Sequence, residues 1–431
     1  MSLNRISRRA ADTEFLADAS TPERVLDAAA ALFWKKGYAA ATTREIAAAA
    51  GIQQASLYYY VPSKEVLLYR LCVSSMEQLL ADVRSAVSQH TDPLDRLLAM
   101  IRAHLATLLK HQMRHVTMVT QLYALSKRHH EEVIALRKEY ANLVRTILEE
   151  AQTAGKVRAD IPAKYLYLAL LNVLNRAVVW YRKDQGLSAD ELANLFSPIF
   201  LYGAISGSTR FAPKLPNLDN HRRKSRAPLR KPRKSVGRST LERLLDAAAG
   251  LFAAKGYGAT STREIAAVLG IQKASLYYHI GSKEELLYAI CSSSLEQIRK
   301  DVEAALVEVR DPLERIVALI CAHVESMLRD QEKHSVAMAE MHLLSDERRA
   351  QVTARRDSYE NLVRSLLHEA QNAGVLRRDI HVKYLCLSLL GLMNRVEVWY
   401  RPSGPLSPHE FGELLGLIFL TGAAARTSTE S

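Results

Sequence analysis

The chain repeats itself. Glu23-Arg-Val-Leu-Asp-Ala-Ala-Ala returns as Glu242-Arg-Leu-Leu-Asp-Ala-Ala-Ala, displaced by 219 positions. The same displacement carries Thr43-Arg44-Glu45-Ile46 onto Thr262-Arg263-Glu264-Ile265, and Ala55-Ser56-Leu57-Tyr58-Tyr59 onto Ala274-Ser275-Leu276-Tyr277-Tyr278. It still holds far downstream, where Asp92-Pro93 maps onto Asp311-Pro312 and Trp180-Tyr181-Arg182 onto Trp399-Tyr400-Arg401. A period this long is a duplication of a complete folding unit, because stacked solenoid repeats run to only about 20–50 residues.

Composition agrees with two globular units. Hydrophobic residues make up 48% of the 431 and charged residues 24%, which excludes wholesale disorder. Four cysteines stand far apart with no C-x-x-C pair, which excludes a disulfide scaffold and the common zinc spacings, so no metal site is expected. No apolar run reaches about 18 residues, so no membrane partner is expected and a reducing, cytoplasmic setting is. The net charge of +12 is unevenly placed. Ten Lys and Arg against the single acid Asp219 fall between Lys214 and Arg238, among three prolines, which reads as a solvated basic linker.

Within each unit every signal is helical. Leu26, Ala29, Ala30 and Phe33 recur at helical spacing until Gly37. Thr42-x-x-Glu45 and Ser261-x-x-Glu264 are capping boxes opening short Ala-rich helices, which Gly51 and Gly270 end. Ser63 and Ser282 can cap a long helix, and Asp92-Pro93 and Asp311-Pro312 open another. Alternation at period two is absent, so an all-α fold is expected. The boundaries read as a basic arm (1–20), a first head (21–66) and bundle (67–210), the linker (211–238), a second head (239–285) and bundle (286–425), and a tail (426–431).

Residues 43–59 have the pattern of a helix-turn-helix, whose second helix enters a DNA major groove. Its exposed side chains would be Gln53, Gln54, Ser56, Tyr58 and Tyr59, with Gln272, Lys273, Ser275, Tyr277 and Tyr278 in the second copy. Gln suits adenine edges, while Ser, Tyr and Lys suit phosphates or base acceptors. Lys64 and Lys283 open the next helix, where a phosphate is favoured, and Thr43 and Thr262 open the preceding one. Arg44 and Arg263 are phosphate candidates beside them.

The stretch Thr43-Arg-Glu-Ile-Ala, Gly51-Ile, Ser56-Leu-Tyr-Tyr-Tyr and Ser63-Lys-Glu resembles the DNA-binding domain of the tetracycline-repressor (TetR) family of transcriptional regulators, and it occurs twice. The resemblance implies about nine helices per unit, three for DNA and six for ligand binding and dimerisation. It also implies that Thr43, Tyr58, Tyr59 and Lys64, with Thr262, Tyr277, Tyr278 and Lys283, touch the DNA backbone. Most members are single units that dimerise; here both halves share a chain, which predicts an intramolecular pseudo-dimer on a near-palindromic operator, open to further pairing of chains.

The bundles are expected to enclose a cavity for a small-molecule effector. Arg176 and Trp180, and Arg395 and Trp399, lie four apart on one helical face, where an indole can stack on a base and a guanidinium can grip phosphate. This pairing suits an acyl-coenzyme A, and the Trp-Tyr-Arg ending resembles the acyl-CoA-sensing branch of the family. The indoles could equally anchor helix packing. His104 and His323 recur as pocket or core histidines. No nucleophile–base pair or phosphate loop appears, so an enzyme is not expected. The competing class is an architectural DNA-binding protein without ligand control, which would coat DNA rather than protect a discrete site.

Overall fold

The computed structural model describes residues 21–181, 187–203, 239–398 and 400–422. The basic arm, the linker, the tail and Trp399 therefore lie outside the described residues. These contain eighteen α-helices and no strand.

Nine helices form each unit. In the first, α1 (Thr21–Ala40), α2 (Thr43–Ala49) and α3 (Gln54–Tyr60) form the head. Then follow α4 (Lys64–Ser88), α5 (Pro93–Lys110), α6 (Gln112–Thr120), α7 (Lys127–Thr153), α8 (Ala163–Trp180) and α9 (Ala189–Tyr202). The second unit repeats them as α10 (Thr240–Lys255), α11 (Thr262–Leu269), α12 (Lys273–His279), α13 (Lys283–Leu306), α14 (Pro312–Arg329), α15 (Gln331–Glu340), α16 (Asp346–Asn372), α17 (Val382–Met393) and α18 (Pro408–Thr421).

The caps read from the sequence are made. Thr42 and Ser261 each complete a capping box, Ser63 and Ser282 cap α4 and α13, and Asp92 and Asp311 accept two backbone N–H groups ahead of an N1 proline. The long face of α4 (Leu67, Leu68, Leu71, Met76, Leu79, Leu80, Val83) is buried throughout. All four cysteines are buried as free thiols.

Short helix α6 joins head to bundle. Arg114 donates to Asp27 at 2.5 Å and to the Glu23 carbonyl at 3.0 Å, and Thr117 donates to the Ala30 carbonyl at 3.0 Å. In the second unit Lys333 pairs with Asp246 at 2.5 Å.

The two units meet along α8 and α9 of one and α17 and α18 of the other. The contact is reciprocal at its tightest point. A Cβ on Gly203 would stand 2.2 Å from the Leu420 carbonyl oxygen, and one on the equivalent Gly422 would stand 2.4 Å from that of Leu201. Both glycines have positive φ, 75° and 71°, a region costly to any residue with a Cβ. Arg158 adds a 2.7 Å bond to Thr421 across the junction.

A second reciprocal contact ties each head to the other unit. Trp34 of α1 stacks on His342 at 4.1 Å between centroids, and the Tyr123 ring lies against Gly256 at the end of α10. Behind these contacts the copies differ. Gln121 accepts from the Tyr38 N–H (3.1 Å) and the Tyr123 hydroxyl (3.0 Å). Its counterpart Glu340 is 2% exposed, accepts from the Tyr257 N–H at 3.3 Å, and has Oε2 buried without a partner. Burial pushes this carboxyl up to about 7, against the opposing pull of the Tyr257 N–H and Lys283.

Candidate nucleic-acid interface and effector site

Helix α3 is held to its head by one fully buried residue, Leu57, and α12 likewise by Leu276. A seven-residue helix anchored on one side chain presents almost everything else outward. Gln53, Gln54, Ser56, Tyr58 and Tyr59 are all exposed, as are Gln272, Lys273, Ser275, Tyr277 and Tyr278. Tyr59 and Tyr278 are each 88% exposed, far beyond what a stabilising aromatic would be. Gly51 (φ 70°) and Gly270 (φ 67°) make the preceding turn in the left-handed region with open space beside them.

The first-helix threonines join this surface. Thr43 shares a 3.1 Å hydrogen bond with the Tyr58 hydroxyl, and Thr262 one of 3.3 Å with that of Tyr277. Gln54 also donates to Thr43 at 3.3 Å, whereas its counterpart Lys273 lies over the Tyr277 ring at 5.6 Å. Arg44 and Arg263 are exposed.

Lys64 and Lys283 make their hydrogen bonds within their own heads. The Lys64 ammonium gives its donors to the carbonyls of Tyr38 (2.8 Å), Ala39 (3.1 Å) and Ala41 (2.9 Å), and sits 4.5 Å from the Tyr38 ring centroid. Lys283 does the same with Tyr257 (2.9 Å) and Thr260 (3.0 Å). Desolvation lowers both amines. An ammonium has three N–H donors, and Lys64 spends all of them inside the head. These half-exposed lysines brace the α1–α2 turn against the next helix.

In the bundles, His104 is 1% exposed with Nδ1 2.6 Å from the Tyr140 hydroxyl, and His323 pairs with Tyr359 at 2.8 Å. Burial pushes both imidazoles down to about 3, so they are neutral. They are core histidines, although Nε2 of each is buried without a partner. Trp180 packs edge-on against Phe196 at 5.8 Å, which makes it an anchor between α8 and α9 rather than a free stacking platform. The apolar void at the junction, lined by Ala169, Val173, Phe200, Leu392 and Ile418 among others, measures about 20 Å³, scarcely room for one water.

The arginines are placed otherwise. Arg176 of α8 lies against Gly391 of the other unit, its Cβ 3.6 Å from where a glycine Cβ would be. Desolvation, then Arg356 and Arg395, hold its guanidinium down at about 10. Arg137 of α7 is lowered likewise by desolvation and then by Arg395. Arg137 and its repeat Arg356 are functional candidates that the sequence reading missed; the 219-residue displacement relating them was the available signal. The equivalent helices also differ. Where α8 runs through Asn175-Arg176 to Trp180, α17 stops at Met393, and Arg395 takes φ 68° ahead of a 3₁₀ turn, Val396–Val398. Glu397 on that turn has both carboxylate oxygens buried and unpartnered. Among the described residues no cluster of His, Cys, Asp or Glu could hold a metal, and no helix is long and apolar enough to cross a membrane.

The family model for tetR-family bacterial regulatory proteins matches residues 25–71 and 244–290, both helix-turn-helix heads. A second model, the tetracyclin repressor-like C-terminal domain, matches 90–204 and 309–423. The chain belongs to the TetR family. It carries that family's two domains twice. The repressor KstR2 of Mycobacterium tuberculosis H37Rv is 30% identical over 181 residues, 42% of this chain and 90% of KstR2. The repressor NicS of Pseudomonas putida is 27% identical over 159 residues, 36% of this chain and 73% of its own. Among solved structures, PfmR of Thermus thermophilus is 35% identical, covering 41% of this chain and 97% of PfmR at a TM-score of 0.39. AibR bound to isovaleryl coenzyme A and operator DNA is 28% identical, covering 42% and 98% at 0.38. The TetR-family chain described here is thus a helix-turn-helix DNA-binding transcriptional regulator with two regulator-sized units in tandem.

Proposed function

We propose that one chain is a complete ligand-responsive repressor, its two heads reading the two halves of a near-palindromic operator and releasing it when a small anionic effector, an acyl-CoA thioester, binds among the bundle arginines. The observation that carries this reading is the pairing of two outward-facing recognition helices with two reciprocal inter-unit contacts, Gly203 with Gly422 at the bundles and Trp34 with His342 beside the heads. Two-fold regulators present such helices about one DNA turn, roughly 34–36 Å, apart. A covalent second half replaces a bimolecular step by an intramolecular one.

Because each head touches both its own α6-type helix and a turn of the other unit, a shift at the junction reaches both heads. Coupling of this kind is typically about 1–3 kcal/mol. Arg176 and Arg395 are cationic and half-buried, with Glu397 within electrostatic reach of both, so a bound phosphate would compete with that carboxylate for them.

With the operator obtained by binding-site selection from random DNA, Arg176→Met combined with Arg395→Met should keep operator affinity within about threefold and lose release by a panel of acyl-CoA esters. Release at wild-type effector concentrations would defeat the reading. The recognition segments differ chiefly at Gln54/Lys273 and Tyr60/His279, so the selected site should have unequal halves. Lys273→Gln should make them more alike, by about 1 kcal/mol or more at the affected base pair. An unchanged selected sequence would show that Lys273 does not read DNA.

A further inference from the structure

On a pseudo-two-fold axis a residue meets its own copy, and Gly258 does so. A Cβ built on it would stand 2.8 Å from the Cβ of Ala39, the equivalent residue of the first unit. Non-bonded carbons settle at about 3.5–4.0 Å, so this point accepts a methyl group from one side only. The φ of Gly258 is not positive, so Ala39 and not the backbone keeps a methyl out.

The same one-sidedness runs along the junction. Gly391 of α17 faces α8, where a Cβ would stand 3.1 Å from the Val173 Cα and 3.6 Å from the Arg176 Cβ. The equivalent residue of the first unit is Asn172, whose Nδ2 is buried without a partner. Beside the heads, Trp34 stacks on His342 with 14° between the ring planes. The mirrored contact turns Tyr123, the equivalent of His342, toward the end of α10, which has Ala253 where the first unit has Trp34. Both large rings belong to the first unit, and each meets a smaller partner from the second. Two first units joined in this way would set Ala39 on Ala39, bring Asn172 into the space that Gly391 leaves beside α8, and press Trp34 against Tyr123 at both contacts. Two second units would clash at none of these places, but Ala253 would replace the indole stacked on His342.

We propose that the junction is a keyed interface: the face of the first unit accepts a second unit and rejects another first unit, and the residue pairs Ala39/Gly258, Asn172/Gly391 and Trp34/His342 make the selection. Steric rejection of this kind separates partners of otherwise matching shape, because a packed contact tolerates surplus volume poorly. Every assembly built through this face then carries one head of each kind, and chains do not link through their first units. An operator bound by such a pair is always read by two different heads. This goes beyond the single-chain reading above, since it states which halves mate, and it holds whether or not an effector binds.

The test uses full-length variants, followed by thermal melting and small-angle X-ray scattering, with helix content from circular dichroism as the check on folding. Gly258→Ala combined with Gly391→Asn gives the second unit the residues of the first. It should melt at least about 5 °C below wild type and show a larger radius of gyration at unchanged helix content. Ala39→Gly combined with Asn172→Gly gives the first unit the residues of the second, and should stay within about 2 °C of wild type at the same radius. Gly258→Ala alone should lower the melting temperature, and adding Ala39→Gly, which moves the methyl to the other side of the axis, should recover that loss. Equal losses from the two paired exchanges, no loss from the first, or no recovery on moving the methyl would each overturn the proposal. Should Gly258→Ala with Gly391→Asn lose helix content, the single change at Gly258 and its reversal at Ala39 decide the question.

Discussion

Gly422→Ala is expected to cost about 2–5 kcal/mol of stability and to lower the melting temperature by roughly 5–15 °C. Two separate penalties act there. The residue has φ 71°, which costs a side-chain-bearing residue roughly 1–2 kcal/mol. A methyl group would also lie 2.4 Å from the Leu201 carbonyl oxygen and 2.5 Å from the Gly203 nitrogen, both backbone atoms that cannot rotate away. Gly203→Ala should behave the same way, because its Cβ meets the Leu420 carbonyl at 2.2 Å. Gly155→Ala isolates the first penalty: φ is 68°, yet nothing lies within 4 Å. It should cost only about 1 kcal/mol. Differential scanning calorimetry of the three variants decides the matter. Equal losses at positions 155 and 422 would mean that the inter-unit contact contributes nothing beyond local backbone strain.

Much of this architecture was legible because it is written locally and written twice. The capping boxes at Thr42 and Ser261, the serine caps at Ser63 and Ser282, and the Asp-Pro starts all depend on residues within three positions of each other, and all form. The outward face of α3 and α12 was legible for the same reason, since a seven-residue helix with one large buried residue leaves little choice of face. What was not legible depended on distant partners. Lys64 stands at a helix start, and nothing local shows that the carbonyls of residues 38–41 fold back beneath its ammonium. Arg137 sits on a helix rich in Lys, Arg and Glu, and neither its burial nor its nearness to Arg395 of the other unit can be read from that helix alone. The same Asn-Arg pair lies inside a continuous helix at 175–176 and at a helix break at 394–395, so that break is set by surroundings rather than by the pair itself.

Duplication within one chain relaxes a constraint that binds every two-fold homodimer. In a homodimer, a residue change alters both halves together. In a tandem chain one copy can diverge while the other holds, and some of the differences lie where the halves meet. Gln121 against Glu340, Tyr123 against His342, and Val178 against Glu397 all lie at inter-unit contacts or directly behind them. The first and third place a carboxyl in only one half, and the second exchanges a phenol for an imidazole. A chain so built can give its two heads different stabilities as well as different sequence preferences.

Glu340 makes that difference depend on pH. Its carboxyl titrates near 7 in the folded chain and near 4.5 when exposed, because burial opposes its ionisation more than the Tyr257 N–H and Lys283 favour it. Between those values the folded protein keeps a proton that the unfolded chain has lost. The second head is therefore most stable below about pH 4.5 as far as this group is concerned, loses stability as pH rises, and bears the full penalty above about pH 7. A displacement of that size corresponds to roughly 3 kcal/mol at most. Glu340→Gln places in the second unit the amide that the first unit has at Gln121, which is fully buried and bonds both the Tyr38 N–H and the Tyr123 hydroxyl. The variant should be more stable than wild type at pH 8 by about 2–3 kcal/mol and indistinguishable from it near pH 4. Hydrogen exchange across residues 255–285 should report the same gap locally, with slower exchange in the variant at pH 8. A variant that is destabilised at pH 8, or stabilised equally at both pH values, would show that Glu340 is ionised and adequately paired in the fold, and that the two heads do not differ in this respect.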